Sequence, residues 1–197
     1  MSKRVPVYRE VADKIDARTT PTLDVGCGNN KIPGAVGIDI VSGTQADIVH
    51  DLNQIPWPLE SNMFEFIRLW SVLEHLRDVV GVLREVHRVA RPGATVIIGT
   101  PHFSSVSAYR DPTHLHFFSA AFLDYFLEDS ELGRRFGFYS DIRFRLDERR
   151  VTLSPFWGLL RLTPIVNRTL SVYETYLCSL VRGADIQVKL TVLKESS

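Results

Sequence analysis

The most constraining feature of the sequence is the segment 95–100, TVIIGT, which is apolar on both faces of an extended strand. Strands buried on both faces are typical of parallel sheets that are covered by helices. The preceding segment, 78–90, has apolar residues at the spacing of one helical face, namely Val79, Leu83, Val86 and Ala90. Asp78 is a favourable N-cap, and Pro92-Gly93 is expected to end this helix. A helix that leads into a buried strand predicts an α/β fold.

Further strands are predicted by short apolar segments on either side of this unit. They span residues 22–25, 35–40, 46–49, 64–69, 142–146 and 186–192. The last two alternate apolar and polar residues, a pattern typical of half-exposed edge strands. We expect Ser119 to cap a helix through Leu127. Residues 11–15 are expected to lie in an amphipathic opening helix that Thr19, Thr20 and Pro21 end. Strands that alternate with helices predict an α/β doubly wound sheet.

Composition limits the classes of function. The 197 residues fit a single domain over 1–197, since domains average about 150 residues. Lys and Arg together number 23, as do Asp and Glu, so net charge gives no reason to expect a nucleic-acid partner. The two cysteines, Cys27 and Cys178, form no CxxC pair, which indicates neither a disulfide framework nor a zinc site. No apolar run reaches the roughly 18 residues of a membrane span, and we expect a cytoplasmic protein.

Acidic or glycine-rich segments follow four of the predicted strands. Doubly wound sheets bind ligands at the carboxyl ends of their strands, so these segments are candidates for a binding site. Gly26 and Gly28 follow the first strand and allow the backbone to turn sharply and approach a ligand closely. Asp39 ends the second strand, where a carboxylate can accept both hydroxyls of a ribose. Asp51 follows the third strand, and Trp70-Ser71 follow the fourth.

The spacing of these residues argues against a dinucleotide site. Such a site needs G-x-G-x-x-G at the start of a helix and an acid about 20 residues further on. Here Lys31 replaces the third glycine, Asp39 comes 11 residues after Gly28, and Pro33-Gly34 leave no room for the helix. The sequence therefore predicts a ligand with a ribose and no pyrophosphate, which favours S-adenosylmethionine over NAD.

Seven segments in order then resemble one family. They are LDVGCG, GIDI, ADIVHDL, PWPLESNMFEFI, SVLEHL, REVHRVARPGATVIIGTPH and DPTHLHFFS. Together they are similar to class I S-adenosylmethionine-dependent methyltransferases, and more narrowly to the small bacterial type 11 group. The resemblance covers roughly residues 20–120. It implies a Rossmann-like sheet of seven strands, mostly parallel, with an antiparallel last strand.

The resemblance also implies roles for single residues. Asp24, Gly26 and Gly28 would surround the methionine moiety, Asp39 would bind the ribose, and Asp51 with Leu52 would frame the adenine. Backbone near Trp70 and Ser71 would meet the methionyl ammonium. The candidate cofactor residues are Asp24, Gly26, Cys27, Gly28, Asp39, Ile40, Asp51, Leu52, Trp70 and Ser71. Three alternatives stay open: Asp24 can cap a loop, Asp51 can form a turn, and Cys27 can be an inert packing residue.

The segment 101–118 is predicted to be a long loop that holds the methyl acceptor. Its candidate catalytic residues are His114, His102, His116 and Asp111. A hydroxyl acceptor needs a general base, and His114 or His102 would serve, oriented by His116 or Asp111. A metal held by His114 and His116 with Asp111 or His102 is an alternative, but His-x-His is a poor signature and no metal is predicted. His75 is expected to make a structural hydrogen bond rather than to act in catalysis.

The segment 151–183 is predicted to be an apolar, helical insert. It is expected to form a lid on the sheet, and the alternative is weak contact of residues 151–170 with a membrane surface. The expected acceptor is a small molecule, a sugar or a lipid-linked compound, methylated on oxygen or nitrogen. A non-catalytic domain that binds S-adenosylmethionine and regulates a partner is the alternative function. The oligomeric state is not predicted.

Overall fold

The computed structural model describes residues 15–194, so the predicted opening helix over 11–15 lies outside the described residues except for Ile15. One sheet of seven strands runs through these residues in the order β3-β2-β1-β4-β5-β7-β6. The strands are β1 Thr22–Val25, β2 Val36–Asp39, β3 Ile48–Val49, β4 Phe64–Trp70, β5 Ala90–Pro101, β6 Arg143–Leu153 and β7 Gly183–Leu193. Strands β1 to β5 pair in parallel, and β7 is antiparallel to both of its neighbours. The predicted seven-stranded, mostly parallel α/β sheet is confirmed.

The helices are short apart from one. They are Val79–Val89, Val106–Arg110, Glu131–Phe136, Pro155–Leu159, Thr163–Arg168 and Leu170–Val172, followed by a π-helical turn at Tyr173–Leu177. Three-residue 3₁₀ turns lie at Leu73–His75, Asp124–Phe126 and Gly137–Tyr139. Within residues 15–194, no helix has both the length and the apolar character that crossing a membrane requires.

The helix Val79–Val89, here α1, forms as its sequence predicts. The Gly81 amide donates to Asp78 Oδ1 at 2.8 Å, which makes Asp78 the N-cap. Leu83 and Val86 are fully buried in the main core together with Ile98 of β5. The helix ends at Val89, before the expected stop, and Pro92-Gly93 lie within the bounds of β5.

Two sequence predictions about local structure are wrong. Strand β7 is not an edge strand, because β6 pairs with its outer side and forms that edge of the sheet instead. Alternation of apolar and polar residues indicates that one face of a strand is exposed. A strand in the interior of a sheet can also have one exposed face, so the pattern does not identify an edge strand. Ser119 does not cap a helix through Leu127, where the chain forms turns and the 3₁₀ turn Asp124–Phe126. The Ala120 amide donates to Glu174 and Leu127 bridges to Phe144, so side-chain and strand contacts replace helical hydrogen bonds.

The connections between the first strands are short and determine where a ligand can approach. No helix lies in residues 26–35 between β1 and β2, as Pro33-Gly34 predict, and the described link 40–47 between β2 and β3 also lacks one. The 26–35 loop packs on the sheet through a small apolar cluster of Ile32, Ala35, Phe66 and Ile97. The insert 151–183 begins as strand, because β6 continues to Leu153, and becomes helical only from Pro155.

Candidate active site

A groove of about 1190 Å³ opens at the carboxyl ends of β1 and β4. Its walls are formed by residues 15–18, residues 26–34, Gln45, Arg68, Trp70 and Ser71. Small-molecule sites typically enclose about 300–1,000 Å³, so this groove can hold a nucleoside with an amino-acid side chain attached. Five of the candidate cofactor residues line it, namely Gly26, Cys27, Gly28, Trp70 and Ser71. The other five, Asp24, Asp39, Ile40, Asp51 and Leu52, do not line this groove.

The two glycines in the turn after β1, Gly26 and Gly28, are favoured for different reasons. Gly26 has φ +65°, and a Cβ there would lie 2.5 Å from Cγ2 of Val72, so a close approach excludes a side chain. Gly28 has φ +49° with open space where its Cβ would be, so only its backbone conformation favours glycine. Between them Cys27 is buried, and burial with the nearby charges of Asp24 and Asp39 raises its thiol pKa to about 11. That supports the interpretation of Cys27 as an inert packing residue.

Asp24 is held by protein groups rather than facing the groove. Its Oδ1 accepts from Arg68 Nε at 2.8 Å, and its Oδ2 accepts from Arg68 Nη2 and from the Ile32 amide. Arg68 also donates to the Asn30 carbonyl at 2.7 Å. Burial raises the pKa of Asp24, and these hydrogen bonds oppose that shift. The contacts match the loop-capping alternative, since Asp24 shapes the groove through Asn30 and Ile32.

Asp39 fixes the same turn from the end of β2. Its Oδ2 accepts from the Gly28 amide at 2.9 Å, and its Oδ1 accepts from the Val41 amide at 3.0 Å. Each carboxylate oxygen has more than one lone pair, so these bonds leave acceptor capacity for hydroxyl groups. Ile40 follows at the surface and is 60% exposed.

Asp51 and Leu52 have local partners. Asp51 Oδ1 accepts from the amide and the side chain of Asn53, at 3.0 and 2.9 Å, which forms the turn that was weighed as the alternative. These hydrogen bonds hold the pKa of Asp51 below its ordinary value. The side chain of Leu52 is buried in the main core, and its carbonyl accepts from Trp57 Nε1. Because both side chains are engaged, only the backbone of Asp51 and Leu52 could contact a ligand at this strand end.

Trp70 and Ser71 form the wall of the groove that lies beyond β4. A Cβ on Gly99 would lie 2.0 Å from the Trp70 ring, so the indole packs directly on the bare backbone of β5. Ser71 has φ +51°, and its amide donates to the Gly99 carbonyl at 2.8 Å. This conformation turns the chain away from the sheet and into the segment 72–76.

The 101–118 loop folds against that segment. The amides of Leu115 and His116 donate to the Glu74 carbonyl at 2.7 and 3.3 Å, and His116 Nε2 contacts the Leu76 carbonyl at 2.8 Å. The loop also contains the short helix Val106–Arg110. As a result His114 lies beside His75, with ring centroids 4.7 Å apart in an edge-to-face arrangement.

The other candidates in the loop are engaged elsewhere. His102 is fully buried, with Nδ1 contacting Ser104 and Nε2 contacting Glu174 Oε1 at 2.9 Å. Both ring nitrogens therefore have partners, and the ring joins the loop to the insert. Asp111 Oδ1 accepts from the amide and hydroxyl of Thr113 at 2.9 and 2.7 Å, which lowers its pKa.

Comparison with known protein families identifies the family of the chain. A family model described as a methyltransferase domain matches residues 7–133, more than half of the chain. The chain belongs to this methyltransferase family. No curated protein matches the sequence.

Solved structures share the fold of this methyltransferase at low identity. The YcgJ protein of Bacillus subtilis aligns with a TM-score of 0.58 at 13% identity, over 95% of this chain and 97% of that one. An S-adenosylmethionine-dependent methyltransferase from Archaeoglobus fulgidus aligns with a TM-score of 0.56 at 14% identity, over 94% and 91%. The cyclase SpnF aligns with a TM-score of 0.55 at 17% identity, over 93% and 81%. Identities at this level show the shared fold alone.

Sequence reasoning missed two residues in and beside the groove. Arg68 stands opposite Asp24 in the β1–β4 register, and the available signal was a charged residue inside the apolar strand FEFIRLW. Glu74 is buried with 1% exposure beside His75 and His114. Its signal was a carboxylate at the end of the apolar run Val72-Leu73, next to a histidine.

Proposed function

We propose that this methyltransferase binds S-adenosylmethionine in the groove at β1 and β4 and transfers its methyl group to an acceptor held beside the 101–118 loop. S-adenosylmethionine is the expected methyl donor of the family. The observation that carries the proposal is the glycine turn at Gly26 and Gly28, which opens the carboxyl edge of the sheet into a groove of about 1190 Å³.

We propose a separate position, in or near the groove, for each of the three parts of the donor. The methionine end would lie against the glycine turn and the wall at Trp70 and Ser71. Asp39, held at the Gly28 amide, would accept the ribose hydroxyls with its remaining lone pairs. The adenine would extend toward the end of β3, near Ile40 and the backbone of Asp51 and Leu52. These three positions, for methionine, ribose and adenine, are proposals.

Methyl transfer from a sulfonium requires no covalent intermediate with the protein. The sulfonium methyl carbon is already electrophilic, so the site must align the acceptor, the methyl carbon and the sulfur, and keep water away from the nucleophile. The segment 72–76 follows the groove wall at Ser71, and the 101–118 loop is folded onto this segment, which supports an acceptor position beside the groove.

His114 is the proposed acceptor-facing residue of the loop. Its Nδ1 contacts the Ala108 carbonyl at 2.8 Å, and a carbonyl only accepts, so in the neutral ring Nδ1 carries the proton and Nε2 carries the lone pair. That lone pair can act on a hydroxyl or ammonium acceptor. His116 and Asp111 are proposed as positioning residues of the loop, and His102 as the residue that attaches it to the insert.

The insert is proposed to be a lid with an apolar outer face. Val166, Tyr173 and Cys178 are buried in the core and attach it to the sheet. Its exposed large apolar side chains are Phe156, Leu159, Leu160, Ile165, Val172, Tyr176, Leu177 and Leu180. Such a face favours an apolar or lipid-linked acceptor, and contact of 151–170 with a membrane surface is the related proposal. Co-sedimentation with anionic and neutral vesicles tests it, with Leu159→Ser as the variant expected to bind less.

Calorimetric titration with S-adenosylmethionine and S-adenosylhomocysteine tests the donor site, with NAD as the comparison ligand. We expect both adenosyl ligands to bind one site per chain and NAD not to bind. Asp39→Ala should weaken binding by about tenfold or more because it frees the glycine turn and removes the ribose acceptor. Asp141→Ala is the matched control, since its side chain is 82% exposed and pairs with Arg84 away from the groove. Equal binding by the two variants and the unaltered protein would contradict the assignment of Asp39.

A further inference from the structure

Three potential metal ligands meet beside the groove in an arrangement that the methyltransferase chemistry does not account for. Glu74, His75 and His114 each place one carboxylate oxygen or ring nitrogen within 4.8 Å of the others. Glu74 and His75 come from the 3₁₀ turn Leu73–His75 after β4, and His114 comes from the loop that packs on this turn. Two segments distant in sequence therefore build one cluster.

Hydrogen bonds orient both rings and decide which nitrogen carries the lone pair. Thr113 uses its only hydroxyl proton to donate to Asp111 Oδ1 at 2.7 Å. His75 Nδ1, which lies 2.9 Å from the same Thr113 oxygen, must therefore be the donor in that contact. His114 Nδ1 likewise donates to the Ala108 carbonyl. Nε2 of each ring is left as the basic nitrogen, and a second-shell partner on the other nitrogen is the usual arrangement of metal-binding histidines.

Glu74 supplies an independent observation. It is 1% exposed, and its Oε2 accepts from Thr100 at 3.0 Å. Its Oε1 is buried and has no hydrogen-bond partner among the described residues. No ion pair to Glu74 occurs within residues 15–194. A buried carboxylate oxygen without a partner is costly, and one explanation for such an oxygen is an ion that occupies the site in solution.

The geometry points to a divalent metal site formed by Glu74, His75 and His114. Two imidazoles and one carboxylate are the donors of many zinc, manganese and non-haem iron sites, whereas magnesium prefers oxygen ligands alone. Ligands around such an ion at about 2.1 Å lie roughly 3–3.5 Å apart, so small side-chain rotations bring the cluster to bonding distance. The set differs from the His114, His116 and Asp111 or His102 combination weighed from the sequence, because His116, His102 and Asp111 have other partners.

The use of the ion rests on the proposed function. Three protein ligands leave open positions, and a hydroxyl acceptor can occupy one of them. The cation lowers the pKa of the bound hydroxyl, whose proton leaves to solvent. The acceptor oxygen then forms a bond to the methyl carbon, the carbon–sulfur bond breaks, and its electron pair stays on sulfur as a neutral thioether. In this arrangement His114 is a metal ligand, and the ion performs the activation that a general base would otherwise supply.

Metal titration of the chelator-stripped full chain tests the site. We expect calorimetry to show one equivalent of Zn²⁺ or Mn²⁺ bound, and Mg²⁺ bound far more weakly. His75→Ala and His114→Ala should each weaken Zn²⁺ binding by about tenfold or more, and Thr113→Val by about tenfold through its hydrogen bond to His75. His87→Ala is the matched control, because this histidine lies on α1, outside the cluster, and its ring contacts the Leu193 carbonyl. Its affinity for Zn²⁺ should equal that of the unaltered protein.

The two proposals fail in distinguishable ways when S-adenosylhomocysteine binding is measured on the same samples. Retained S-adenosylhomocysteine binding shows that each variant is folded, so weaker Zn²⁺ binding then supports the site. Zn²⁺ binding that is absent from the unaltered protein, or unchanged in His75→Ala and His114→Ala, overturns the metal site and leaves the donor groove standing. Zn²⁺ binding without binding of either adenosyl ligand supports the metal site and contradicts the proposed function.

Discussion

Arg68 compensates the buried Asp24 carboxylate, and its removal should be among the most damaging single substitutions in the sheet. The Arg68 side chain is 14% exposed and that of Asp24 is 1% exposed. Removing one partner of a buried ion pair typically costs about 3–5 kcal/mol, so Arg68→Met should lower the free energy of unfolding by about that amount. Urea denaturation measures the change. Arg91→Met is the control, because its ion pair with Glu65 is about half exposed and should contribute about 0–1 kcal/mol.

The same variant should acquire a distinctive pH dependence. Burial raises the pKa of Asp24, and without the guanidinium nothing of comparable strength opposes that shift. A carboxyl with a raised folded-state pKa binds its proton more tightly when folded, so stability falls as pH rises through that region. The deficit of Arg68→Met relative to the unaltered protein should therefore grow as pH rises from the ordinary aspartate pKa of about 4 toward neutrality. A deficit that is constant over this range would mean that Asp24 stays ionised in the variant.

Cys27 is expected to be unreactive although it lines the groove. Its thiol pKa of about 11 leaves roughly one thiolate in a thousand at pH 8, and the side chain is buried. Cys178 is also buried, and its Sγ contacts the Glu174 carbonyl. Mass spectrometry after iodoacetamide treatment at pH 8 should find no label on the native chain and two labels after denaturation. Rapid native labelling at Cys27 would contradict its assignment as a packing residue.

The sequence identified individual site candidates but not their partners in the folded chain. Asp24 was identified from its place before the glycines, but its partner Arg68 lies 44 residues away and is fixed by strand register. His114 was identified in the loop, whereas Glu74 joined it only when the loop folded onto the turn after β4. Motif spacing describes residues that are near in sequence. The Asp24–Arg68 pair depends instead on strand register, and the proximity of His114 and Glu74 depends on how the loop folds.

Among the elements, the insert contacts the 101–118 loop and the segment after it through the carboxylate of Glu174. Glu174 Oε1 accepts from His102 Nε2 at 2.9 Å and from the Ala120 amide at 2.6 Å. Burial opposes ionisation of Glu174, but these hydrogen bonds outweigh burial and hold its pKa below the ordinary value. The carboxylate form therefore joins three segments that are far apart in the chain.

Glu174→Ala should loosen those segments without unfolding the sheet. It leaves the His102 nitrogen and the Ala120 amide without their acceptor, a loss of about 1–3 kcal/mol confined to this junction. Hydrogen exchange measured by mass spectrometry should increase in residues 102–105 and 155–181 and stay unchanged in β1 and β4. Glu131→Ala is the control, because Glu131 is exposed at the start of its own short helix. An increase spread evenly over the sheet would show that the insert is part of the global folding unit.

The strands also show which patterns in the sequence were sufficient. TVIIGT predicted a strand buried on both faces, and residues 96–100 of β5 are all buried. The alternating segment 186–192 was placed at an edge because period two reports the exposure of a face, whereas β7 gains its second neighbour from β6. Hydrogen-bonded neighbours along the sheet leave no trace in the pattern of a single strand.

For the whole molecule, the absence of a helix in residues 26–35 means that a loop closes the side of the sheet that we propose for the donor. This loop is held by Asp24, Asp39 and the contact of Lys31 with Asp47, and a small apolar cluster lies beneath it. A ligand in the groove would add contacts along the loop at residues 26–34. Donor binding should therefore be visible both in global stability and in the exchange of one segment.

Saturation with S-adenosylhomocysteine should stabilise the folded chain by mass action. At a free ligand concentration of 100 times Kd the gain is about 2.7 kcal/mol, which for a chain of this size corresponds to a rise in Tm of about 5–10 °C. Differential scanning fluorimetry measures the shift, and hydrogen exchange should show the added protection concentrated in residues 26–34 rather than in 155–177. Asp39→Ala should show a smaller shift at the same ligand concentration, since its glycine turn is no longer held. Protection that appeared only in the insert would place the ligand under the lid and would remove the groove at β1 and β4 as the donor site.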